Sequence, residues 1–456
     1  MTILLINPPG KTSLICPPLG LAYVAASLQK SNHRVIILDY LLEKFSEKKL
    51  LKFIKKENAF IIGLTAVTPN IKKALFLAEI IKKKFPEKII VLGGAHVTLK
   101  PREILEKTKN IDYIFRGEGE IRFPKLIEYI LKKENPENLP GLTFRKNKQI
   151  INTPDATFIE NLDELPFPAR ELLNIKKYSK YLNNLKKPAT TIFTSRGCPY
   201  HCIYCSKPIT GTKFRPRSPE NIISEIELLK NKYGIKELQF YDDTFTLDKE
   251  RVLKICQLLI EKKIKIQWKC ETRINLVDKE LLKIMKKAGC YFIAYGIESG
   301  NQRILNFLKK STTIEQIKNA VMLTKKTNIK VLGYFMLGIP TENEKEIKQT
   351  IKFSKELNLD YVQFAIATAY PGTDLYNIAK QSGKISNDWT QAFYALGTKS
   401  TISLSEVPIK KLRSYLKKAY ISFYFRPTYI WKKLRNINSP LDIVYYFRSA
   451  KNLFKI

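Results

Sequence analysis

The first part of the chain alternates short apolar, β-branched segments with longer stretches in which apolar residues recur at helical spacing. Such alternation predicts βαβ units and a parallel sheet covered by helices on both faces. We therefore predict an α/β domain over residues 1–145 that contains a Rossmann-like, doubly wound parallel sheet. The predicted strands are 2–6, 34–38, 60–64, 88–92 and 112–115, and the predicted helices lie near 19–30, 47–56, 70–84 and 121–133.

Glycines and polar residues follow these predicted strands at the points where the strands end. In a doubly wound sheet the carboxyl ends of the strands border the ligand crevice, and glycine lets a bulky ligand approach the backbone. One such glycine is usually only a turn, but several at the same edge predict a ligand site. The residues expected there are Asn7, Pro8, Thr65, Gly93, Gly94, His96, Gly117 and Glu118. For His96, a place in the pocket and a place in an ordinary loop both stay open.

A proline-rich and charged segment at residues 146–186 breaks the pattern and is predicted to be a linker. The alternation then resumes about six times over residues 187–385, which predicts a partial, TIM-like (β/α)6 barrel. The predicted strands are 190–194, 237–241, 266–270, 291–297, 331–337 and 361–367. The helices are predicted near 219–232, 249–263, 278–287, 313–326, 344–357 and 374–380.

Polar residues are concentrated just after the barrel strands, where barrel enzymes carry their chemistry. A charged residue in such a place can also be a helix N-cap, and this alternative stays open for Asp243 and Thr341. The strand-end segments are Tyr241-Asp242-Asp243, Glu271-Thr272-Arg273, Gly296-Ile297-Glu298-Ser299-Gly300, Gly338-Ile339-Pro340-Thr341-Glu342 and Thr368-Ala369-Tyr370-Pro371-Gly372.

Three cysteines, Cys198, Cys202 and Cys205, lie within eight residues in the spacing C-x-x-x-C-x-x-C. An odd number of thiols in a chain whose other four cysteines are scattered argues against disulfides. The spacing favours an iron–sulfur cluster with one iron left free of protein ligands. A zinc site with His201 as fourth ligand, and plain core thiols, remain as alternatives.

The cysteine loop resembles the radical S-adenosylmethionine superfamily, because Tyr204 places an aromatic residue directly before the third cysteine. The resemblance extends over about residues 187–383. It implies a [4Fe–4S] cluster on the three cysteines, S-adenosylmethionine on the free iron, and a 5′-deoxyadenosyl radical produced with an external reductant such as flavodoxin or ferredoxin.

The same resemblance assigns roles to residues at the barrel strand ends. Glu298, beside Ser299, would bind the ribose hydroxyls, and Asp242 or Asp243 would bind the methionine ammonium. Arg273 would hold the methionine carboxylate, since a guanidinium pairs well with a carboxylate. The backbone at Gly338 would lie against the adenine. Cys270 and Cys290 fall on or beside strands and are expected in the core.

The glycine-rich strand ends of the first domain resemble the cobalamin-binding domain that often precedes radical S-adenosylmethionine barrels. The chain lacks the Asp-x-His-x-x-Gly motif of many such domains, since none of its histidines, His33, His96 and His201, lies in that pattern. The sequence therefore fits cobalamin held without a histidine ligand, and it also fits a domain that binds no cobalamin.

The formal net charge is +37, with 79 basic against 42 acidic residues. Runs such as Lys82-Lys83-Lys84 and Lys309-Lys310 spread this charge along helix faces, which is typical of a solvated surface. We therefore do not expect nucleic-acid binding. The sequence shows neither a signal peptide nor an apolar stretch of about 20 residues, so we expect a cytoplasmic protein.

Residues 386–456 are predicted to form a helical C-terminal extension, in which residues 406–456 hold 12 basic, 2 acidic and 11 aromatic residues. Apolar residues from Ile409 to Phe423 recur at helical spacing. One interpretation is a helical cap on the barrel. The other is a basic, aromatic surface, centred on residues 424–433, that contacts anionic lipid at the inner membrane face.

The order of domains resembles radical enzymes that methylate, cyclise or couple unactivated carbons, and a lipid-like or tetrapyrrole-like substrate is our first hypothesis. The second is a methyl- or methylthio-transferase acting on tRNA, although the tail does not resemble a compact β-barrel RNA module. The third is a non-catalytic iron–sulfur or zinc protein.

Overall fold

The computed structural model describes residues 1–10, 15–182, 186–385 and 402–434. The chain divides into two compact units. The first unit contains Met1–Tyr200, Ser206–Phe245 and Lys254–Trp268. The second contains His201–Cys205, Thr246–Leu253 and the described residues from position 269 onward.

The first unit begins with a seven-stranded sheet in the order β2-β1-β3-β4-β5-β6-β7. Strands β1 to β5 are parallel, as predicted, while β5–β6 and β6–β7 are antiparallel pairs. The strands are β1 Thr2–Asn7, β2 Arg34–Asp39, β3 Ile61–Thr65, β4 Ile89–Gly93, β5 Tyr113–Phe115, β6 Leu142–Lys146 and β7 Gln149–Asn152. The sequence analysis missed β6 and β7, and β7 lies inside the segment predicted as linker.

Helices cover this sheet because their apolar residues repeat at i, i+3 and i+4. Leu50 and Ile54, one turn apart, are the buried residues of α2. The helices are α1 Leu19–Lys30, α2 Glu47–Glu57, α3 Ile71–Lys84, α4 Ala95–Leu99, α5 Pro101–Lys107 and α6 Arg122–Lys132. Short α4 and α5 were not predicted, because five and seven residues carry too few repeats to be recognised.

The second sheet contains six strands in the order β15-β14-β13-β12-β11-β8. Within the first unit, β8 and β11 pair in parallel; within the second, β13, β14 and β15 do so. This βα alternation is the predicted partial barrel. The strands are β8 Ala189–Ile192, β9 Ser195–Arg196, β10 Arg215–Pro216, β11 Glu237–Phe240, β12 Gln267–Thr272, β13 Cys290–Glu298, β14 Lys330–Leu337 and β15 Tyr361–Ile366, of which β9 and β10 form a separate antiparallel pair.

Of the remaining helices, α7 precedes the barrel in the segment predicted as linker, and the others follow the barrel strands or form the described part of the C-terminal extension. Several begin at a side-chain cap, such as Ser218 of α8 and Thr313 of α12. They are α7 Ile175–Ser179, α8 Pro219–Tyr233, α9 Lys249–Glu261, α10 Lys279–Lys287, α11 Gln302–Phe307, α12 Ile314–Lys326, α13 Glu344–Glu356, α14 Asp374–Gln381, α15 Ile409–Tyr424 and α16 Pro427–Leu434.

Helix α15 packs against the edge strand β15 and buries Leu412, Leu416 and Phe423. The interpretation of the extension as a helical cap on the barrel is therefore supported where the structure describes it. Residues 386–401 and 435–456 of the predicted extension lie outside the described residues. Among the described helices, none is both long enough and apolar enough to cross a membrane.

Candidate functional site

At the carboxyl edge of the first sheet, Gly93, one of the residues predicted to contact a ligand, has open space beside it. A Cβ atom added at Gly93 would meet no atom within 4 Å. At Gly94 the backbone has φ +106°, and a Cβ would lie 2.6 Å from the Ala66 carbonyl oxygen, so glycine is required there. Thr65 is half-buried at the end of β3, beside this turn. The open space at Gly93 would let a bulky corrinoid approach the backbone at this turn.

Asn7 and Pro8, at the carboxyl end of β1, are buried. The Asn7 amide donates to an oxygen of Asp39 at 2.9 Å, and the Tyr178 hydroxyl donates to the other oxygen at 2.6 Å. Burial raises the pKa of Asp39. Asn7 therefore fixes the ends of β1 and β2, and its predicted role toward a ligand stays a prediction.

His96 is buried in the first turn of α4, and the structure does not place it in a loop. Its Nδ1 lies 3.1 Å from the Thr68 hydroxyl. Burial lowers the pKa of His96 to about 4, so the ring is neutral near pH 7. His96 is therefore not an exposed ligand at this edge, which fits a cobalamin that is held without a histidine ligand.

Glu118, predicted to contact a ligand, has both carboxylate oxygens engaged by protein donors. Arg196 donates to Oε1 at 2.7 Å, Arg215 donates to both oxygens at 2.9 and 3.0 Å, and the Ile159 amide donates to Oε2 at 2.8 Å. Its neighbour Gly117 has φ +77° and is half-buried. Direct binding of a ligand by Glu118 would have to compete with these bonds.

The three cysteines of the loop differ from the other barrel cysteines in exposure. Cys198 and Cys202 are partly exposed and Cys205 is exposed, whereas Cys256, Cys270 and Cys290 are buried. Cys270 and Cys290 thus lie in the core, as expected. Accessible thiols suit an iron–sulfur cluster. Among the described residues, no three His, Cys, Asp or Glu side chains gather as a site for a single metal ion.

In the first unit, the beginning of the cysteine loop is held by polar contacts. Sγ of Cys198 lies 3.5 Å from the Thr244 hydroxyl, and the Lys207 ammonium donates to the Cys198 carbonyl oxygen at 2.7 Å. Asp243 is exposed and accepts from the Gly197 amide at 3.1 Å. It therefore fixes the turn next to Cys198.

Asp242, predicted to bind the methionine ammonium, is buried and holds the end of β8. It accepts from the Thr194 amide at 2.7 Å, from the Thr194 hydroxyl, and from the Ser195 hydroxyl at 2.9 Å. The carboxylate thereby binds the segment that leads into the cysteine loop. Of the two candidate acids, only Asp243 is exposed to a ligand.

In the second unit, Arg273 lies beside a loop cysteine. One guanidinium nitrogen of Arg273 lies 3.4 Å from Sγ of Cys202, Nη2 donates to the carbonyl oxygen of Lys310, and Nε donates to the Asn275 side chain at 3.3 Å. Arg273 is 5% exposed. Its guanidinium group therefore supports the position of Cys202 and can pair with an anionic ligand next to it.

Glu298 forms a buried group with Tyr204 and Lys310 in the same unit. The Tyr204 hydroxyl donates to Glu298 Oε1 at 2.9 Å, and the Lys310 ammonium lies 3.0 Å from the Tyr204 hydroxyl oxygen and 3.0 Å from Glu298 Oε1. Glu298 also has φ +70°, a strained conformation for a glutamate, at the end of β13. The structure thus joins Tyr204 and Glu298, which the sequence analysis had proposed separately.

Lys310 belongs to this buried group but was not predicted from the sequence. The run Lys309-Lys310 was interpreted as solvated surface, and Lys309 is exposed, but Lys310 is only 5% exposed. The sequence contains no signal that separates the two, because their difference arises from the turn after α11.

Two further residues predicted to contact a ligand, Ser299 and Gly338, make contacts within the protein. Ser299 is fully buried, and its hydroxyl lies 3.1 Å from the Thr350 hydroxyl of α13. Gly338 has φ +80°, and a Cβ there would lie 2.6 Å from Leu412 of α15. Ser299 therefore packs the strand end against a helix, and Gly338 is needed for the close approach of α15.

Two sequence families match the chain. The profile of the B12 binding domain matches residues 10–127, and the profile of the Radical SAM superfamily matches residues 192–354. A protein of Pyrococcus horikoshii that bears the name uncharacterized methyltransferase is 36% identical over 441 residues, covering 95% of each chain.

More distant relatives have named reactions. The anaerobic magnesium-protoporphyrin IX monomethyl ester cyclase of Rubrivivax gelatinosus is 31% identical, over 79% of this chain and 66% of that protein. The hopanoid C-3 methylase of Methylococcus capsulatus is 26% identical, over 80% of this chain and 69% of that protein.

Two solved structures share the fold at 18% sequence identity. The cobalamin-dependent S-adenosylmethionine radical enzyme OxsB, solved with aqua-cobalamin and S-adenosylmethionine, has a TM-score of 0.76 and covers 99% of this chain and 70% of its own. The radical S-adenosylmethionine methyltransferase TsrM of Kitasatospora setae has a TM-score of 0.73 and covers 84% and 77%. At this identity the likeness shows the fold alone, and it confirms the predicted architecture.

Proposed function

The chain belongs to the radical S-adenosylmethionine superfamily, with an N-terminal B12-binding domain, and we propose that it methylates an unactivated carbon of a hydrophobic substrate. The predicted family, enzyme class and cofactors, namely a [4Fe–4S] cluster, S-adenosylmethionine and cobalamin, are confirmed. When bound, these groups supply a carbon-centred radical and a methyl group. Methylation is favoured over ring closure because the relative at 36% identity is named a methyltransferase, whereas a cyclase that covers the same 95% of this chain is 27% identical.

The observation that carries the proposal is the polar group around the second half of the cysteine loop. Cys202 lies beside Arg273, and Tyr204 binds Glu298 and Lys310, all in the second unit. The Arg273 cation beside Cys202, together with the buried carboxylate–ammonium pair of Glu298 and Lys310, offers acceptors for ribose hydroxyls and donors for a carboxylate. We assign Cys198, Cys202 and Cys205 as the cluster ligands, and Glu298, Lys310 and Arg273 as the residues that orient S-adenosylmethionine.

The substrate class is supported by the strands of the second unit. Alternate residues of β12, β14 and β15 are buried on one face, and those on the other face are half-buried. The half-buried face combines apolar side chains with a few polar groups, which suits a largely apolar ligand. From residue 269 onward, its members on these strands include Lys269, Glu271, Leu332, Tyr334, Met336, Gln363 and Ala365.

Within this face, the Tyr334 hydroxyl donates to Glu271 at 3.2 Å. Burial raises the pKa of Glu271. A carboxyl group that is more easily protonated suits a site next to an apolar substrate, because the neutral form costs less to bury. The bonded Glu271–Tyr334 pair would give that substrate one polar contact of fixed geometry.

Contact with a membrane surface remains part of this proposal for a lipid substrate. Phe425, Ile430 and Trp431 are 38%, 40% and 60% exposed, and Lys417 and Lys418 on the preceding helix are exposed as well. Basic and aromatic side chains together favour the headgroup region of anionic lipid. Sedimentation with anionic vesicles should therefore fall for Trp431→Ser, whereas neutral vesicles should sediment neither protein.

The central test is anaerobic reconstitution with iron, sulfide and hydroxocobalamin, followed by incubation with methyl-labelled S-adenosylmethionine and a reductant such as reduced flavodoxin. Parallel reactions receive a total lipid extract, a tetrapyrrole ester or total tRNA. We expect 5′-deoxyadenosine and labelled lipid or tetrapyrrole from the wild type. Cys205→Ser should abolish both, while Cys290→Ser, a buried thiol outside the loop, should not.

Each part of the proposal can fail separately in this experiment. Label in tRNA would replace the hydrophobic substrate with nucleic acid, as in the second hypothesis. Ring closure without label transfer would favour a cyclase. Absence of 5′-deoxyadenosine from a protein with a full cluster would exclude the radical reaction.

A further inference from the structure

A buried group of ion pairs joins the end of strand β5 to the base of the cysteine loop. Glu118 and Glu120 belong to the loop that follows β5, and Arg196 bonds each of them at 2.7 Å. Arg215 adds a second guanidinium to Glu118 at 2.9 Å. All four residues lie in the first compact unit.

The four side chains are withdrawn from solvent, with exposed fractions of 2% for Glu118, 7% for Glu120, 12% for Arg196 and 1% for Arg215. Buried ion pairs add little net stability, because desolvation offsets the attraction, but removing one partner leaves an uncompensated charge. Two carboxylates and two guanidinium groups balance in charge. The group therefore fixes geometry more than it adds stability.

Both ends of this group are anchored to backbone. Arg215 donates to the carbonyl oxygens of Ile159 at 2.5 Å and Thr210 at 2.9 Å, and Arg196 pairs with Arg215 across strands β9 and β10. Arg196 also lies over the Tyr23 ring of α1, 5.5 Å from its centre. These contacts leave the two arginines little freedom to move independently of Glu118.

The residues of this ion-pair group lie next to two predicted functional segments in the sequence. Strands β9 and β10 close the segment 197–214, which contains all three loop cysteines, and Arg196 stands two residues before Cys198. Glu118 lies between Gly117 and Gly119 at the carboxyl end of β5, in the edge where the ligand of the first domain is expected. One carboxylate thus contacts both functional segments.

We propose that Glu118, with Glu120, is a positioning residue that couples the ligand edge of the B12-binding domain to the base of the cysteine loop. Binding of a corrinoid at this edge would order the loop after β5, and through Arg196 it would steady the loop that holds the cluster. Because such coupling is reciprocal, a loaded cluster would also tighten corrinoid binding. The identity of the ligand rests on the proposed function.

The test measures iron loss from the reconstituted protein to a chelator, with and without saturating hydroxocobalamin, in the absence of turnover. For the wild type we expect hydroxocobalamin to slow iron loss about fivefold or more, the lower range of ordinary coupling between sites. For Glu118→Gln the two rates should be nearly equal. The matched control is Glu160→Gln, which removes an exposed ion pair to Lys213 next to the same segments and should keep the wild-type ratio.

A second measurement distinguishes loss of coupling from a general loss of stability. The affinity for hydroxocobalamin is compared in cluster-free and cluster-loaded protein: the wild type should bind more tightly when loaded, and Glu118→Gln equally in both forms. If Glu118 acts through Arg196, then Glu118→Gln combined with Arg196→Gln should lose no more coupling than either change alone.

The outcomes distinguish this inference from the proposed function. If the wild type binds hydroxocobalamin but iron loss is unaffected by it, the coupling is overturned and the function stands. An unchanged ratio in Glu118→Gln would likewise exclude Glu118 as the coupling residue. If the wild type binds no hydroxocobalamin, both the coupling and the cobalamin part of the proposed function fail.

Discussion

The ammonium group of Lys310 lies 3.0 Å from a carboxylate oxygen of Glu298, and both side chains are less than a tenth exposed. The pair is not isolated, because the Tyr204 hydroxyl lies within hydrogen-bond distance of both groups. A residue of the cysteine loop is thereby tied to the end of β13. We infer that this contact fixes the position of the cysteine loop relative to the residues that orient S-adenosylmethionine.

Replacing Lys310 should weaken binding of S-adenosylmethionine. In Lys310→Met the buried Glu298 carboxylate loses its cation, and truncating one partner of a buried pair typically costs about 2–5 kcal/mol, so we expect affinity to fall about tenfold or more. Equilibrium dialysis with the cluster-loaded protein measures this. Lys309→Met, which changes an exposed lysine next in sequence, should bind as the wild type does; equal loss in both variants would contradict the role of Lys310.

Replacing Arg273 should affect the cluster more than the fold. Lysine keeps the charge but cannot reproduce bonds to Cys202, Asn275 and the Lys310 carbonyl oxygen at once, so Arg273→Lys is not conservative. We expect less iron and sulfide per chain after reconstitution, with thermal unfolding near that of the wild type. Arg303→Lys, at a half-exposed ion pair with Glu346, is the matched control. Full cluster content in Arg273→Lys would exclude its support of Cys202.

The sequence predicted the features that depend on local pattern. Strands β1 to β5 and the six strands of the second sheet follow from short apolar runs, and the cysteine loop follows from spacing. The contacts of Lys310 and Glu118 could not be predicted, because they depend on which side chain folds inward at a turn and which arginine is brought opposite by β9–β10 pairing. Ser299 illustrates the same limit, since its hydroxyl is used by Thr350 in a neighbouring helix.

The edge of the second sheet should be weakened by removal of one hydroxyl group. The Tyr420 hydroxyl accepts from the Phe364 amide at 2.9 Å and donates to the Phe364 carbonyl oxygen at 3.0 Å. Tyr420→Phe leaves both buried backbone groups without this partner, and we expect a loss of about 1–3 kcal/mol in unfolding free energy. Tyr415→Phe, which frees only a partly exposed Glu344, should cost less in the same denaturant titration. The reverse order would contradict the edge-capping role.

Glu342 makes the second unit sensitive to pH. Its Oε2 accepts from the amides of Gly338 at 2.6 Å and Ile339 at 3.1 Å, whereas its buried Oε1 has no hydrogen-bond partner. Burial raises the pKa of Glu342 to about 7. Because the folded protein binds this proton more tightly than the unfolded chain does, the stabilisation is complete below the ordinary carboxyl pKa and is lost as pH rises through about 7.

Glu342→Gln should therefore flatten the dependence of stability on pH. Glutamine resembles the protonated carboxyl group, so the advantage of the variant over the wild type in unfolding free energy should grow between pH 6 and pH 8.5, by about 1–2 kcal/mol if the whole shift is expressed. Urea unfolding at the two pH values measures the difference. Glu344→Gln is the control: its carboxylate is partly exposed, and Lys411 and Tyr415 lower its pKa, so its charge is constant across this range. Parallel pH curves for the wild type and Glu342→Gln would show that Glu342 stays ionised throughout.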